Sequence, residues 1–585
     1  GATDPWMIWP QLNDVDIDFE VLKSIKLERD RAIQANPNLS RIDRYRKIVD
    51  GKEISVVGSP NLGNVRTVMI GIRNPKKLSP QDPDDGQPKC AEVWVNELRL
   101  TDFDERGGWA ANARVTAKLA DFANISVSGN TSTIGFGSLD QSVTERNKFE
   151  AMAYDLQSNF EIGKFFPQET GIRIPLFFGY SEEWKNPMFN PLDPDIEFDD
   201  ALENLQTQGQ KDSLKRASQD YVMRKNINLT NVRKERRGGG GKNPQFYDIE
   251  NFSASYSFSE TFRRSINTIG DTKKDHRAAL NYTYQTRPKN VQPFKNITSK
   301  YLTLVRDFNF YYLPSRFTFR TDLMRSTAIA QQRNTDNPQI ELPTTYFKSF
   351  TLGRQYDLAY DLTKALKIDY NAKMDARIDE TAGRPDSQEN RDTIKQGLLM
   401  LGRPTRFHQT LNVNWQIPIN KLPYLDFVTS SLRYSADYDW LSNSTRALNS
   451  VATVDDPGLN FGNTIQNANT VQFNGALNMI TLYNKVPYLK RVNSGQIGKE
   501  PEPQRRQPAP RVADETEEER EARLAEEEKK KKAKGPTAMQ KIAAGGSRFL
   551  MMVRNVSLSY SQNNGTLLPG YMLKPSNIGM DPAQM

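Results

Sequence analysis

The residues best suited to chemistry are few in this chain of 585 residues. It contains one cysteine, Cys90, and two histidines, His276 and His408. A single cysteine excludes an internal disulfide bond and offers only one thiolate to a metal. Each histidine stands near the predicted start of a strand, where it needs no special role. The sequence therefore predicts no catalytic residues and no metal ligands.

Three short motifs contain groups that bind phosphate or calcium, but their spacing does not fit either ligand. "RRGGGGK" at 236–242 lacks the first glycine of a phosphate-binding loop and the Ser or Thr after the lysine. "LDPDIEFDD" at 192–200 and "DPDDG" at 82–86 offer carboxylates without the spacing of an EF-hand loop. We interpret the first as a flexible turn and the others as acidic surface loops. The chain is thus predicted not to be an enzyme and to bind no cofactor.

Composition narrows the class of protein further. The net charge is +8, from scattered Lys and Arg and one basic run without an aromatic stripe, so we expect no nucleic-acid partner. Mean hydropathy is −0.69, and no stretch reaches the roughly 18 apolar residues of a membrane-spanning helix. Aromatic residues nevertheless make up 10% of the chain, too many for a largely disordered polypeptide. Alternating strands account for both the low hydropathy and the aromatic content.

Strict alternation of apolar and polar residues is the strongest pattern in the sequence. It predicts a hairpin of strands 109–119 and 122–133, and it recurs in "LKIDYNAKMDARI" and "LNVNWQI". About fourteen to sixteen such strands are predicted, many longer than the roughly 9–11 residues that cross a bilayer. We therefore predict an all-β fold, an antiparallel transmembrane β-barrel segment that is part of a very large barrel.

In this barrel the two faces of each strand meet different surroundings. The predicted lipid-facing residues are Ile368, Tyr370, Ala372, Met374, Ala376, Leu411, Val413, Trp415, Tyr434 and Tyr438. The predicted lumen-facing residues are Asp369, Asn371, Lys373, Asp375, Arg377, Asn412 and Asn414. A soluble β-sandwich or β-solenoid also has alternating strands and remains the alternative.

Connection lengths predict the orientation of the strands. Tight connections at 120–121 and 362–365 fall on one side, as periplasmic turns of outer-membrane barrels do. The predicted connections on the other side, such as 183–221 and 380–404, all have about 13 residues or more and would be external. Segment 301–312 cannot be placed by this pattern.

Four regions follow from these patterns. Residues 1–106 are predicted to form a small α+β or sandwich domain on the external side, with the strand-like runs "EISVVG", "RTVMIGIRN" and "AEVWVNELRL". Residues 107–482 are predicted to be barrel strands with long external loops. Residues 483–548, Pro-rich and then rich in Glu and Lys, are predicted to be a flexible periplasmic insertion. Residues 549–585 are predicted to be a strand and a following loop.

The run "CAEVWVNELRLTDFDERGGWAANARVTAKLADFANISVSGNTSTIGFGSLDQ" (90–141) resembles the SprA/Sov family, the outer-membrane translocons of the type 9 (Por) secretion system. Further similar runs occur in the same order along the chain. They are "VRTVMIGIRNP" (65–75), "NPLDPDIEFDDAL" (190–202), "RPKNVQPF" (287–294), "DFNFYYLPSRFTFRTD" (307–322) and "NVSLSYSQNNGTLLPGY" (555–571).

The resemblance implies a segment of a longer chain in the outer membrane of a Gram-negative, Bacteroidetes-type bacterium. It implies a hydrated pore that passes folded cargo proteins from the periplasm to the cell surface, with lateral access to the membrane, in type 9 secretion and gliding motility. The implied partners are a PorV-like shuttle barrel, a periplasmic plug subunit, small accessory proteins, cargo proteins and membrane lipids. None of these follows from composition or periodicity.

Three other functions fit the sequence less well. A TonB-type uptake barrel would need a plug and an energy-coupling box, and neither is visible in the sequence. A lipopolysaccharide-insertion barrel would place its N-terminal domain in the periplasm, whereas the connection lengths place residue 108 outside. A surface β-solenoid adhesin has no need of such long amphipathic strands.

Overall fold

A large antiparallel sheet dominates the structure, a computed structural model. The residues described are 4–8, 14–36, 38–74, 79–80, 85, 87–90, 92–102, 104–142, 145–236, 244–286, 288–335, 340–443, 462–494, 518, 522 and 538–575. Within them, fifteen strands form one sheet in which almost every strand pairs with its neighbours in the chain. The sheet is open, with one edge strand at each side. The all-β, antiparallel part of the prediction is confirmed, whereas closure into a barrel is not shown.

The strands of this sheet have the following bounds: β3 Ala110–Leu119, β4 Ala123–Ser132, β5 Phe149–Glu161, β6 Ile172–Arg173, β7 Pro175–Pro187, β10 Asp220–Lys234, β11 Phe252–Ser265, β12 Thr268–Gln285, β13 Arg316–Gln332, β14 Thr345–Asp361, β15 Leu366–Arg377, β16 Arg403–Ile417, β17 Val428–Leu441, β18 Asn463–Asn478 and β19 Asn555–Tyr571. Two separate hairpins are formed by β1 Tyr45–Val49 with β2 Lys52–Val56 and by β8 Phe189–Asn190 with β9 Asp193–Glu197.

The helices are short by comparison. They are α1 Pro5–Ile8, α2 Phe19–Ala35, α3 Phe198–Glu203, α4 Gln208–Ser218, α5 Thr303–Arg306, α6 Gln388–Leu399, α7 Met479–Tyr483, α8 Pro487–Asn493 and α9 Ala538–Leu550. In the described parts of the chain, no helix is both long enough and apolar enough to cross a bilayer.

The strands share two ends, which we call the tight-turn end and the long-loop end. The tight-turn end carries the connections 120–122 and 362–365, and the long-loop end carries 188–219 and 378–402. In the second tight turn, Thr363 Oγ1 accepts hydrogen bonds from the backbone N–H groups of Ala365 and Leu366, at 3.1 and 2.8 Å. Such a side-chain acceptor fixes a turn and hence the register of the hairpin.

One predicted feature of the long-loop end is wrong. The connection between β11 and β12 has two residues, because Ser265 already pairs with Thr268. β11 continues three residues past its predicted limit of 262, and β12 begins eight residues before its predicted limit of 276, so that it includes the charged run Lys273–Asp275. Cross-strand pairing keeps this polar run extended, which a pattern based on apolar alternation does not register.

Two further segments differ from the predicted strands. The unplaced segment 301–312 contains α5 and a single bridge between Val291 and Phe310, so it adds no strand to the sheet. The last strand begins at Asn555 rather than 549, because α9 occupies the residues before it. The alternation of strand directions is therefore unchanged, and residues 479–554 leave and re-enter the sheet at the tight-turn end.

The N-terminal region packs on a loop at the long-loop end. Asp18 caps α2 by accepting a hydrogen bond from the backbone N–H of Glu20 at 2.8 Å. The ammonium group of Lys26, on α2, is buried and lies 2.9 Å from the carboxylate of Asp195, beside that of Asp193. The β8–β9 hairpin therefore holds this helix against the sheet domain.

Two of the three strands predicted in residues 1–106 are absent. "EISVVG" forms most of β2, but residues 66–74 and 92–100 have no regular secondary structure. Their apolar side chains are exposed, including Met69 at 92% and Trp94 at 82%. A strand requires a hydrogen-bonded neighbour, and the described residues provide none for these two segments.

Two faces of the large sheet as the candidate functional site

The register of the sheet fixes which side chains share a face. Residues directly opposite each other in an antiparallel pair point to the same side, and successive residues alternate. Ile368 lies opposite Val413, which in turn lies opposite Tyr434, whereas Asp369 lies opposite Asn412. We call the first side the apolar face and the second the polar face.

All of the site residues proposed from the sequence fall on these two faces in two separate sets. The ten residues predicted to face lipid lie on the apolar face, and the seven predicted to face a lumen lie on the polar face. Their contact with lipid or with a lumen stays a prediction, because the sheet alone does not define what surrounds it.

The polar face is a mixed surface of small ion pairs and hydrogen bonds. Arg320 pairs with Asp322 at 2.7 Å and Lys373 with Asp375 at 3.3 Å, all with partly exposed side chains. Exposed pairs of this kind contribute at most about 1 kcal/mol each. On β18 and β19 the face has no charged residues, and most of its side chains are Ser, Thr, Asn and Gln, with Ala468, Ala476 and Leu567 among them.

The apolar face is divided by a diagonal line of polar residues. On five alternate strands a polar side chain is followed, toward the tight-turn end, by at least three residues of the same face without a charge; on β10 this run ends at Lys234. We call the five polar residues the polar boundary; they are Lys225, His276, Arg354, Gln409 and Asn469. The residues that follow them on the same face are Ile227, Ala278, Tyr356, Leu411 and Val471.

The polar boundary does not follow the hydrogen-bonded rows of the sheet. Residues that lie opposite each other on successive strands form rows across the sheet. Relative to these rows, the polar boundary moves toward the tight-turn end by two residues at His276, four at Arg354, two at Gln409 and two at Asn469. The total is ten residues over the eight steps from β10 to β18. With about 3.3 Å per residue and 4.8 Å between neighbouring strands, the polar boundary is inclined by roughly 40° to the hydrogen-bonded rows. A bilayer surface makes the same angle with these rows when the strands are tilted by roughly 40° from the membrane normal.

Between the polar boundary and the long-loop end, the chain covers its own apolar face. Ala372, Met374, Phe407, Trp440 and Ile465 form a cluster with at most 8% exposure. The last of the described residues close over it, since Tyr571 packs there and the carbonyl of Leu573 accepts a hydrogen bond from Trp440 Nε1 at 3.1 Å. Three candidates predicted to face lipid, Ala372, Met374 and Ala376, are thus enclosed by protein.

A second cluster lies beside the first. Phe350, Leu352, Ala376 and Ile378 are buried under the 378–402 loop, with Ile394 of α6 packed against them. The guanidinium group of Arg354, in the polar boundary, is 4% exposed and lies 3.5 Å from the carbonyl of Leu401. The loop therefore docks on the face just beyond the polar boundary.

A buried polar group anchors this loop. Glu380 accepts hydrogen bonds from Arg325 and from Asn390, each at 2.8 Å, and Asn390 is fully buried. Burial alone would raise the pKa of Glu380, but these two hydrogen bonds outweigh it and the pKa is lowered. Next to it, a hydrogen bond from Arg403 lowers the pKa of Asp379. No sequence motif signals this anchor, because its members are far apart in the chain.

The remaining candidate residues lie apart from one another. His276 and His408 stand within β12 and β16 rather than at strand starts, because both strands begin earlier than predicted. The ring nitrogen Nδ1 of His276 lies 3.0 Å from the hydroxyl of Tyr256, and Cys90 is exposed. The described residues contain no cluster of three His, Cys, Asp or Glu side chains that could hold a metal ion.

Sequence reasoning missed a second carboxylate cluster. On the apolar face near the long-loop end, Glu182 accepts hydrogen bonds from the hydroxyl groups of Tyr154, Tyr180 and Tyr221, the first at 2.7 Å and the third at 2.8 Å. Arg264 stacks on the Tyr221 ring. Four strands contribute to it, β5, β7, β10 and β11, so only the register brings these residues together.

Comparison with known proteins supports one family. Residues 1–202 match the family model SprA_N, described as a motility related/secretion protein. No curated protein matches the chain. The matched region covers the N-terminal segment, the first strands of the sheet and the β8–β9 hairpin. The match over residues 1–202 supports the resemblance of the chain to the SprA/Sov family of motility and secretion proteins.

Proposed function

We propose that this chain is part of a pore-forming translocon in the outer membrane, which passes folded cargo proteins from the periplasm to the cell surface. The sheet is a section of a large transmembrane barrel, with its apolar face toward lipid and its polar face toward a water-filled pore. In this proposal the chain forms part of the wall of the pore and catalyses no reaction. The secretion family matched by residues 1–202 is consistent with this role.

The observation that carries the membrane part of the proposal is the diagonal course of the polar boundary. Strands of outer-membrane barrels are tilted by about 35–45°, so the edge of the bilayer must cross the strands obliquely. The polar boundary crosses them at an angle equivalent to roughly 40°. In a soluble sandwich, a second sheet crossing at about 30° or 90° would have to cover this inclined strip, and the described residues form no such layer over its tight-turn part.

The uneven covering of the apolar face supports the same proposal. Between the polar boundary and the tight-turn end, Ile368, Val413 and Trp415 belong to none of the buried clusters that the described residues form. A soluble sheet would need a second layer over these side chains. Lipid meets the same requirement in a barrel, because acyl chains solvate the apolar face and closure leaves no unpaired strand edge in the hydrocarbon.

The cargo, the shuttle barrel, the periplasmic plug and the accessory proteins enter this proposal from the family resemblance. The polar face offers a physical basis for cargo passage. Several of its charged side chains form short-range ion pairs with one another, so a folded protein could slide past without a strong binding site.

Site-specific photocrosslinking to cargo in living cells tests the proposal. The full-length protein would carry a photoreactive residue at Asn412, on the polar face, or at Val413, on the apolar face, while a cargo fused to a very stable domain stalls in transit. Crosslinks to cargo from Asn412 and not from Val413 are expected. Equal crosslinking from both positions, or none from Asn412 with cargo stalled, would contradict the proposal.

A further inference from the structure

Two helical segments at the tight-turn end form a small platform between β18 and β19. Val492 of α8 packs with Ala544 of α9 and with Met551, and all three are at most 9% exposed. The hydroxyl of Tyr483 donates to the carbonyl groups of Leu550 and Val553, which ties the end of α9 to α7. We call residues 479–494 and 538–554 the helical base.

The helical base is held to a neighbouring turn of the sheet. The ammonium group of Lys485 pairs with Asp426 and donates to the carbonyl of Tyr424 at 2.7 Å, in the connection between β16 and β17. The helical base is therefore attached to the β16–β17 connection as well as to β18 and β19.

Helix α9 turns an apolar face away from the protein. Met539, Ile542, Phe549 and Leu550 are 73–84% exposed. Their positions, i, i+3, i+10 and i+11, lie on one side of an α-helix. Ala544 and Met551 form a different side, which packs on α8. Large apolar residues this exposed mark a surface that is covered by something else.

The charge of the helical base indicates what covers it. Its residues include Lys485, Lys490, Arg491, Lys541, Arg548 and Arg554 and no Asp or Glu. Lys541 and Arg548, seven residues apart, lie on the side of α9 opposite its apolar stripe. Amphipathic helices with an apolar face and a basic polar face lie in the headgroup region of membranes that contain anionic lipids.

We propose that α9 lies in the membrane surface at the tight-turn end, with Met539, Ile542, Phe549 and Leu550 inserted among the acyl chains and the basic residues at anionic headgroups. This inference rests on the proposed membrane position of the sheet. It assigns to the base of the charged insertion a lipid-binding role that would hold it against the inner surface of the outer membrane.

Fluorescence from single labelled positions tests this placement in the full-length protein, reconstituted in vesicles with or without phosphatidylglycerol. An environment-sensitive dye on Phe549→Cys should shift to the blue and lose intensity when nitroxide-labelled lipids are added, more so with phosphatidylglycerol. The same dye on Lys541→Cys, on the opposite side of α9, should stay in an aqueous environment. Cys90→Ser removes the native thiol from both variants.

A third variant, Val413→Cys, carries the same dye on the apolar face of the sheet. It tests the proposed membrane position of the sheet, on which the lipid role of α9 rests, independently of α9. Quenching at Val413 with an aqueous signal at Phe549 in both vesicle types would overturn the lipid role of α9 and leave the barrel proposal intact. No quenching at either position would overturn both. Shielding of Phe549 only in native membranes, with a crosslink to another protein, would assign the helix face to a protein partner and overturn the lipid role.

Discussion

The apolar face has two regions that look alike in sequence and differ in structure. Between the polar boundary and the long-loop end, Met374 and Trp440 are fully buried by loops of the same chain. Between the polar boundary and the tight-turn end, Trp415 remains 38% exposed and nothing in the described residues packs over it as a layer. Alternation therefore identifies the apolar face, but only tertiary contacts determine whether protein or lipid covers each part of it.

The comparison is tested most strongly by two tryptophans on this face. Trp440→Ala removes a ring with no exposed surface and the hydrogen bond to Leu573, so we expect a loss of about 3–5 kcal/mol in the free energy of unfolding. Trp415→Ala should cost less, at most about 1.5–3 kcal/mol, because lipid fills the space and only the transfer of the ring out of water is lost. Equilibrium unfolding in lipid vesicles measures both, and equal losses would contradict the division of the face.

A charge placed in the uncovered region should have the next largest effect. Ile368→Arg puts a guanidinium group on the face assigned to lipid, at a cost of about 2–4 kcal/mol near the bilayer midplane. Asp369→Arg, its neighbour on the polar face, should assemble normally. The amount of folded, heat-modifiable protein in outer-membrane fractions gives the comparison. If both faces tolerate the arginine equally, neither is in contact with lipid.

Acid should release the 378–402 loop from the covered region. The pKa values of Asp379 and Glu380 are lowered in the folded protein, so their stabilising contribution is complete above the unfolded carboxyl pKa of about 4 and is lost as the pH falls through the lowered values. The protection of α6 against hydrogen exchange, measured relative to the unstructured peptide at the same pH, should thus fall below about pH 4 and stay unchanged between pH 5 and 8. Asp379→Asn should reduce this pH dependence, and an identical profile in the variant would remove Asp379 from the anchor.

The smallest effect is expected from a tag in the charged insertion. Residues 483–548 leave the sheet at the tight-turn end, which faces the periplasm in outer-membrane barrels. An epitope near Lys530 should leave assembly unchanged and bind antibody only after the outer membrane is permeabilised. Binding on intact cells would reverse the orientation of every strand. The prediction that this segment is flexible concerns residues that lie mostly outside those described.

The sequence was informative where the cause of structure is local. Alternation in "LKIDYNAKMDARI" predicted β15 and both of its faces, and the tight turns at 120–121 and 362–365 were found in place. Predictions failed where structure depends on a distant partner. Residues 66–74 have the composition of a strand without a neighbour to pair with, and β11 and β12 continue through charged residues because they pair with each other.

For the candidate site, the sequence predicted the face on which each residue lies but not its tertiary contacts. Leu411, Val413 and Trp415 were assigned to one face because the period of a strand is two residues. The enclosure of Met374, the anchor at Glu380 and the oblique polar boundary each depend on contacts or registers between strands that are far apart in the chain. A single sequence contains no local signal for such arrangements.

The central claim, that the bilayer crosses the sheet obliquely along the polar boundary, can be measured as depth. Spin labels at Ile227, Ala278, Leu411 and Val471 in the membrane-embedded full-length protein would report their depth from collisions with oxygen and with a water-soluble relaxation agent. We predict nearly equal depths at all four positions. Depths that instead follow the hydrogen-bonded rows, differing by about 33 Å along the strands between Ile227 and Val471, would contradict the account.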